Sequence, residues 1–245
     1  MNKDQVNNKQ AFWLPWLSTD STFCRSLVGC GYLSEEQMLR AAERYRLGRS
    51  RDGGAIFWQI DPEGRTRDGK IMYYREDCHR DKTRNPSWVS ARLKAYYGYD
   101  GEMAVDRCLF GLHLLETHPQ PLPVMEGSGY PQGKNSEGGG LPIAIVEAEK
   151  TAVIMSEVYP QYVWMAAGGL SMLTAEKLRP LSDRHVILFP DTDPDGKAFS
   201  RWQQVAKEAS RHTLYPVYVS PLLERHATLE QKAAKIDIVD FLFSH

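Results

Sequence analysis

Two short apolar runs constrain this chain more than any other feature, because each is followed within two residues by an acid. Residues 143–146 (IAIV) lead to Glu147. Residues 186–189 (VILF) lead through a proline to Asp191 and Asp193. Apolar runs of this length, rich in β-branched residues, are typical of strands buried on both faces of a parallel sheet. Ligands bind beyond the carboxyl ends of such strands, so we expect the three acids to converge on one rim.

Strand and helix patterns alternate after Glu147, and this alternation sets the predicted fold. The predicted elements are a helix to about residue 159, a strand at 162–166, a helix near 171–179 that Pro180 helps to end, a helix at 197–211 and a strand at 215–219. Such a succession is typical of βαβ units. It predicts an α/β fold with a parallel sheet flanked by helices.

Three carboxylates on one rim repel one another, and burial increases the cost. A cation usually compensates such a cluster, and oxygen ligands with room for water favour Mg²⁺ or Mn²⁺. The plainer alternative is that residues 193–196 (DPDG) form an ordinary turn and that Glu147 is a solvated loop end. The four cysteines contain no CxxC pair, so we expect no zinc in this chain.

Residues 143–200 resemble the TOPRIM domain shared by bacterial primases, topoisomerases and related nucleases. In that family a Glu ends the first strand and an Asp-x-Asp ends the third, as Glu147, Asp191 and Asp193 do here. Residues 147–152 (EAEKTA) are similar to the EGEKTA of phage and plasmid primases, and residues 191–196 (DTDPDG) fit the primase pattern D-x-D-x-x-G.

The resemblance implies a nucleotidyl transferase that makes primers on single-stranded DNA from nucleoside triphosphates. Glu147, Asp191 and Asp193 would be catalytic metal ligands, with Lys150 beside them to neutralise phosphate. Asp237 corresponds to a further acidic patch of primases and would complete a second metal site; alternatively, Asp240 simply heads a terminal helix.

This chain departs from replicative primases at two points. Thr151 stands where they carry an additional acid, and their amino-terminal zinc-binding domain has no counterpart here. A helicase or a separate zinc-binding protein is therefore expected to assist template recognition. Two other functions stay open: a TOPRIM nuclease that uses the same acids to activate water, and a binding module without turnover.

The amino-terminal half is locally basic. Residues 40–94 contain 14 Lys or Arg and 8 Asp or Glu, although the whole chain has a net charge of −1. Strand patterns near residues 56–60 and 70–74 predict an antiparallel hairpin. Six aromatic residues accompany the basic ones: Trp58, Tyr73, Tyr74, Trp88, Tyr96 and Tyr97. Charges for phosphates and rings for bases are typical of a single-strand groove, but a solvated face over an aromatic core would have the same composition.

In primases, a basic domain also precedes the TOPRIM domain, with a hairpin, a Lys-rich Asn-Pro segment and an LYGL-like motif in that order. This chain has the same order, although the match is looser, and four basic residues are candidates for nucleic-acid binding: Arg75, Lys82, Arg84 and Lys94. Residues 30–243 are also similar to an uncharacterised family of primase-like proteins of bacterial mobile elements.

The composition predicts four segments: a disordered tail at 1–11, a smaller α+β basic domain at 12–116, a Pro/Gly-rich linker at 117–142 and the TOPRIM domain at 143–245. The sequence has neither a long apolar window nor a signal-peptide pattern at its start. We therefore expect a cytoplasmic protein with no membrane partner.

Overall fold

The structure is a computed structural model that describes residues 18–98, 105–115 and 140–243. The predicted tail at 1–11 and nearly all of the predicted linker at 117–142 lie outside these ranges. The chain divides into two compact units, Met1–Leu114 and Leu115–His245. No described helix is long and apolar enough to cross a membrane.

The amino-terminal unit combines helices with an antiparallel sheet of strand order β1-β2-β3-β4. Its elements are α1 (Thr22–Gly29), α2 (Glu35–Arg44), β1 (Gly48–Arg49), β2 (Ala55–Ile60), β3 (Thr66–Met72), β4 (Ser87–Trp88) and α3 (Val89–Tyr97). Strands β2 and β3 form the predicted hairpin. A reciprocal pair of hydrogen bonds between Ser34 and Gln37 caps the start of α2.

Strand β2 is buried on both faces, and its successive side chains pack alternately on one face and the other. Ile56, Trp58 and Ile60 form one cluster, against which Val89 at the start of α3 packs. Phe57 points to the other face, where its ring contacts Phe110 at a centroid distance of 5.5 Å. Phe57 and Trp58 therefore both supply core, on opposite faces of the strand.

The carboxyl-terminal unit contains a four-stranded parallel sheet of order β6-β5-β7-β8. Its elements are β5 (Ile143–Val146), α4 (Glu149–Val158), β6 (Val163–Ala166), β7 (Val186–Phe189), α5 (Lys197–Ala209), β8 (Tyr218–Val219), α6 (Leu222–His226), α7 (Leu229–Ala234) and α8 (Ile238–Phe243). The prediction of a parallel α/β sheet flanked by helices is confirmed at this level. Strands β5 and β7 are neighbours, with Val146 opposite Phe189.

Two predicted elements are shorter than expected. The helix predicted near 171–179 is a pair of 3₁₀ segments, Leu170–Met172 and Glu176–Leu181. Pro180 lies inside the second segment and lacks the N–H that a continuous α-helix would use. The predicted strand at 215–219 is reduced to β8, because Pro216 cannot donate to the ladder.

Candidate acidic site

Glu147 and Asp191 meet because they follow neighbouring parallel strands. Glu147 directly follows β5 and is buried, with 9% of its surface exposed. Asp191 follows β7 after one proline and is half-buried. The backbone N–H of Asp191 donates a hydrogen bond to Oε1 of Glu147 at 3.3 Å. Two acids that are 44 residues apart in the sequence are thus joined at one end of the sheet.

Burial and mutual repulsion disfavour the ionised form of both acids. Burial, together with the charges of Asp193 and Asp237, raises the pKa of Glu147 to about 7, against the opposing effect of its backbone hydrogen bonds. Burial also raises the pKa of Asp191 well above its usual range, and the nearby charges of Glu147, Asp237 and Asp240 act in the same direction. The rim therefore holds carboxyl groups close together in a partly desolvated place, where ionising both of them is costly.

Asp193 lies in a different environment, in the loop just before α5. Its Oδ1 accepts hydrogen bonds from the backbone N–H groups of Asp195 at 2.9 Å and Lys197 at 3.1 Å, and its Oδ2 accepts one from Ala198 at 2.6 Å. Burial disfavours ionisation of Asp193, but these hydrogen bonds and the charge of Lys197 outweigh it and lower the pKa of the carboxyl. Asp193 is therefore the acid of the rim that most readily stays ionised.

Two further predicted residues lie within electrostatic reach of the rim. Asp237 is buried, accepts a hydrogen bond from the hydroxyl of Thr151, and accepts another from the backbone N–H of Asp240 at 2.8 Å. Asp237, not Asp240, is thus the acid immediately before α8. The charge of Lys150, in the first turn of α4, lowers the pKa of Asp191 and offsets part of the repulsion.

The donor chemistry of the rim fits a hard divalent cation, since carboxylate oxygens are the ligands that Mg²⁺ and Mn²⁺ prefer. The raised pKa values of Glu147 and Asp191 indicate a site where added positive charge would be stabilising. Within the described ranges, however, no three His, Cys, Asp or Glu side chains are placed so that together they could hold a metal ion. Joint coordination of one ion therefore requires the side chains to reorient.

The four predicted basic residues lie in the amino-terminal unit, in different surroundings. Nη2 of Arg75 pairs with Oδ2 of Asp77 at 2.6 Å. Arg84 pairs with Asp52 at 3.1 Å, and its guanidinium lies over the ring of Tyr73, 3.5 Å from the ring centroid. Lys82 is exposed and Lys94 is half-buried. Arg75 and Arg84 thus form ion pairs with acids of their own unit.

The sequence matches the family described as "Domain of unknown function (DUF6371)" over residues 21–127 and 136–192. The chain belongs to the DUF6371 family. The matched ranges include Glu147 and Asp191, whereas Asp193 and Asp237 lie beyond their end. No curated protein matches this DUF6371 sequence.

Two solved structures similar to this DUF6371 chain are primase fragments. The primase fragment of the bacteriophage T7 primase-helicase protein is 19% identical, with a TM-score of 0.40 over 77% of this chain and 60% of that one. The Aquifex aeolicus primase (zinc-binding and RNA polymerase domains) is 16% identical, with a TM-score of 0.40 over 76% of this chain and 41% of that one. The chain thus spans less than two thirds of either relative.

The DUF6371 structure contains a cluster that the sequence reasoning missed. Asp52 accepts hydrogen bonds from Arg92 at 2.9 and 3.0 Å, from Tyr73 at 2.6 Å and from Ser50 at 2.6 Å, in addition to Arg84. The hydrogen bond from Arg92 is the largest influence that lowers the pKa of Asp52. Nothing in the sequence distinguishes Arg92 from the other basic residues near it, because its partner lies 40 positions away.

A second missed cluster surrounds Asp68 of this DUF6371 chain. The Asp68 carboxylate is buried and accepts hydrogen bonds from the hydroxyl of Ser90 at 2.7 Å and from Nε of Arg107 at 2.9 Å. The Arg107 guanidinium lies over the ring of Trp88, 3.8 Å from its centroid. One face of Trp88 is therefore covered by a side chain of the same unit.

Proposed function

We propose that this chain is a TOPRIM-type, primase-like nucleotidyl transferase that joins nucleotides on a single-stranded DNA template. The observation that carries the proposal is the meeting of Glu147 and Asp191 at the ends of neighbouring parallel strands, with the charges of Asp193 and Asp237 close by. This arrangement supports the family resemblance, in which the same three positions, Glu147, Asp191 and Asp193, are catalytic. Open parallel sheets bind ligands at this edge.

In this proposal the acids of the rim have unequal tasks. Asp193, kept ionised by three backbone N–H groups, provides a permanent negative charge. Glu147, whose pKa is raised to about 7, can hold a proton near neutral pH, and burial shifts the pKa of Asp191 in the same direction. Lys150 would bind a phosphate oxygen of the incoming nucleoside triphosphate, because its positive charge already acts on Asp191.

Glu147, Asp191 and Asp193 would hold Mg²⁺ or Mn²⁺, and Asp237 would contribute to a second ion. The chemistry that such ions supply, when bound, is a lower pKa for the attacking 3′ hydroxyl and charge neutralisation at the triphosphate. The protein's own contribution is to position the carboxylates on rigid strand ends and to shield them partly from water. We further propose that the enzyme acts in the cytoplasm, and that a helicase or a zinc-binding protein assists template recognition.

The test is incorporation of a labelled nucleotide on single-stranded DNA with Mg²⁺ or Mn²⁺, while the length of the template is monitored. The variants are Asp191→Asn and Asp193→Asn, and the matched control is Asp195→Asn, an exposed acid of the same loop. We expect short products from the wild type and from the control, and a loss of at least about 100-fold in the two rim variants, the order of magnitude for removing one group that stabilises transition-state charge electrostatically.

Two other outcomes would replace this proposal. Shortening of the template that depends on Asp191 would identify a nuclease. Binding of single-stranded DNA that persists in a chelator and weakens as the salt concentration rises, with neither synthesis nor cleavage, would identify a binding module.

A further inference from the structure

The six aromatic residues of the basic half differ sharply in exposure. Trp58 and Tyr73 are buried, with 3% and 5% of their surfaces exposed. The ring of Tyr74 packs on that of Phe23, with a distance of 4.7 Å between the ring centroids. Trp88 is half-buried beneath Arg107. Only the other two members of the set are exposed, Tyr96 at 76% and Tyr97 at 68%. These two rings end α3.

The two exposed rings contact each other, and their free faces are better suited to stacking on bases than to packing in the core. Their centroids are 5.0 Å apart at an interplanar angle of 86°. An edge-to-face pair leaves at least one face of each ring uncovered by the other. Exposed apolar side chains that adjoin one another form a contiguous patch, and such patches mark interaction sites more often than scattered exposed residues do.

Positive charge accompanies the two rings along the helix. Residues three and four apart are neighbours on a helix surface, so Lys94 adjoins Tyr97 and Arg92 adjoins Tyr96. The helix contains two basic residues and no acidic one. Arg92 is partly neutralised by Asp52, whereas Lys94 forms no ion pair within the described part of the chain. The helix end therefore presents rings together with a cation.

We infer that Tyr96, Tyr97 and Lys94 form a stacking site for single-stranded nucleic acid, in which the rings hold bases and Lys94 holds the backbone. Alternating rings and cations are the features by which proteins bind single strands without reading their sequence. This site deepens the proposed function, since it assigns the template to a surface distinct from the acidic rim. It rests on the proposed function in one respect, namely that nucleic acid is taken as the ligand.

The test measures binding of a labelled oligothymidylate by fluorescence anisotropy in the presence of a chelator, so that catalysis plays no part. We expect the double variant Tyr96→Ala/Tyr97→Ala to raise the Kd roughly 5- to 150-fold, the effect of losing one stacked base. Tyr96→Phe/Tyr97→Phe keeps the rings and is expected to bind like the wild type. Tyr218→Ala, which removes an exposed tyrosine of the other unit, serves as the control.

Two further comparisons separate stacking from charge. An abasic strand keeps the phosphates but lacks bases, so it should bind the wild type and the double alanine variant equally weakly. Lys94→Ala should reduce the slope of log K against log salt concentration by about 0.7, the value for one phosphate of a single strand. Lys207→Ala, an exposed lysine of α5, should leave that slope unchanged.

Unchanged oligonucleotide affinity in the double alanine variant, or no binding by the wild type, would overturn the stacking site. A change in self-association of that variant, with unchanged oligonucleotide binding, would show that the rings contact protein instead. The proposed function is judged separately, because Asp191→Asn should abolish incorporation while leaving binding in a chelator intact.

Discussion

The hydroxyl of Thr151 donates a hydrogen bond to the carboxylate of Asp237, and both side chains are buried. Thr151 lies in the first turn of α4, four residues after Glu147, whereas Asp237 lies 86 residues further along the chain. The bond therefore connects Asp237, whose charge acts on Glu147, to the helix that follows Glu147.

Replacing Thr151 tests this link. Thr151→Val keeps the shape of the side chain but leaves a buried carboxylate oxygen without its donor, and is expected to lower the free energy of unfolding by about 1–3 kcal/mol. Thr151→Ser keeps the donor and loses one methyl group, a cost of about 0.8 kcal/mol. Urea unfolding followed by fluorescence measures both. If serine destabilised the protein more than valine, the hydrogen bond would not be the important contact.

Asp193 is expected to contribute to stability as well as to catalysis, because it accepts hydrogen bonds from the first turn of α5. Asp193→Ala removes these acceptors and is expected to cost about 1 kcal/mol of unfolding free energy, as losses of helix-capping side chains do. Asp193→Asn keeps one acceptor oxygen and should lower the unfolding free energy by only a few tenths of the cost of Asp193→Ala. Both should abolish incorporation, so asparagine is the cleaner active-site variant. Equal stability of the two variants, measured by urea unfolding, would contradict the capping role.

The raised pKa of Glu147 predicts how stability depends on pH in the absence of divalent cations. Its pKa is about 7 in the folded protein and 4.5 ordinarily, so the folded state holds the proton more tightly. The resulting stabilisation is fully present below pH 4.5 and is lost as the pH rises through about 7, by at most about 3 kcal/mol. Asp191 acts in the same direction.

The measurement is urea unfolding in a chelator from pH 4.5 to about 8, comparing wild type with Glu147→Gln. We expect the variant to lose much less stability over this range, and to be the more stable protein at the upper end. Glu230→Gln, an exposed acid of α7, controls for the loss of one charge. Parallel pH profiles for wild type and Glu147→Gln would refute the prediction.

Gly69 is expected to resist substitution because of the ring opposite it in the hairpin. It pairs with Trp58 across β2 and β3, and a Cβ built on Gly69 would lie 2.4 and 2.6 Å from two ring atoms of Trp58. Gly69→Ala should therefore cost about 1–3 kcal/mol of unfolding free energy, as overpacking does. Gly29→Ala meets no atom within 4 Å and should be nearly neutral. Similar thermal midpoints for the two variants would contradict this account.

The sequence predicted the sheet of the carboxyl-terminal unit well, because its signals are local. Residues 143–146 and 186–189 are continuous apolar runs, and each is followed within two residues by an acid. Parallel neighbours bring their carboxyl ends together, so the meeting of Glu147 and Asp191 follows from strand pairing alone. The role of these acids in metal binding stays a prediction.

The environments of individual side chains could not be predicted in the same way, because their partners are distant in sequence. Arg84 and Arg92 share Asp52, which lies 32 and 40 positions before them. Equally, Trp58 and Tyr96 both belong to a basic, aromatic stretch, yet one is core and the other is exposed. Tertiary packing decides whether such a side chain is buried or exposed, and neither composition nor periodicity predicts that packing.

In the part of the chain that the structure describes, three of the four sheet edges are formed by strands of only two residues, namely β1, β4 and β8. Such short edges offer little unpaired backbone to a strand from another molecule. This protects the chain against aggregation through strand addition while it folds or when it is concentrated. A protein that associates with it would therefore recognise side chains and loops, and loss of association on single surface substitutions is the expected signature.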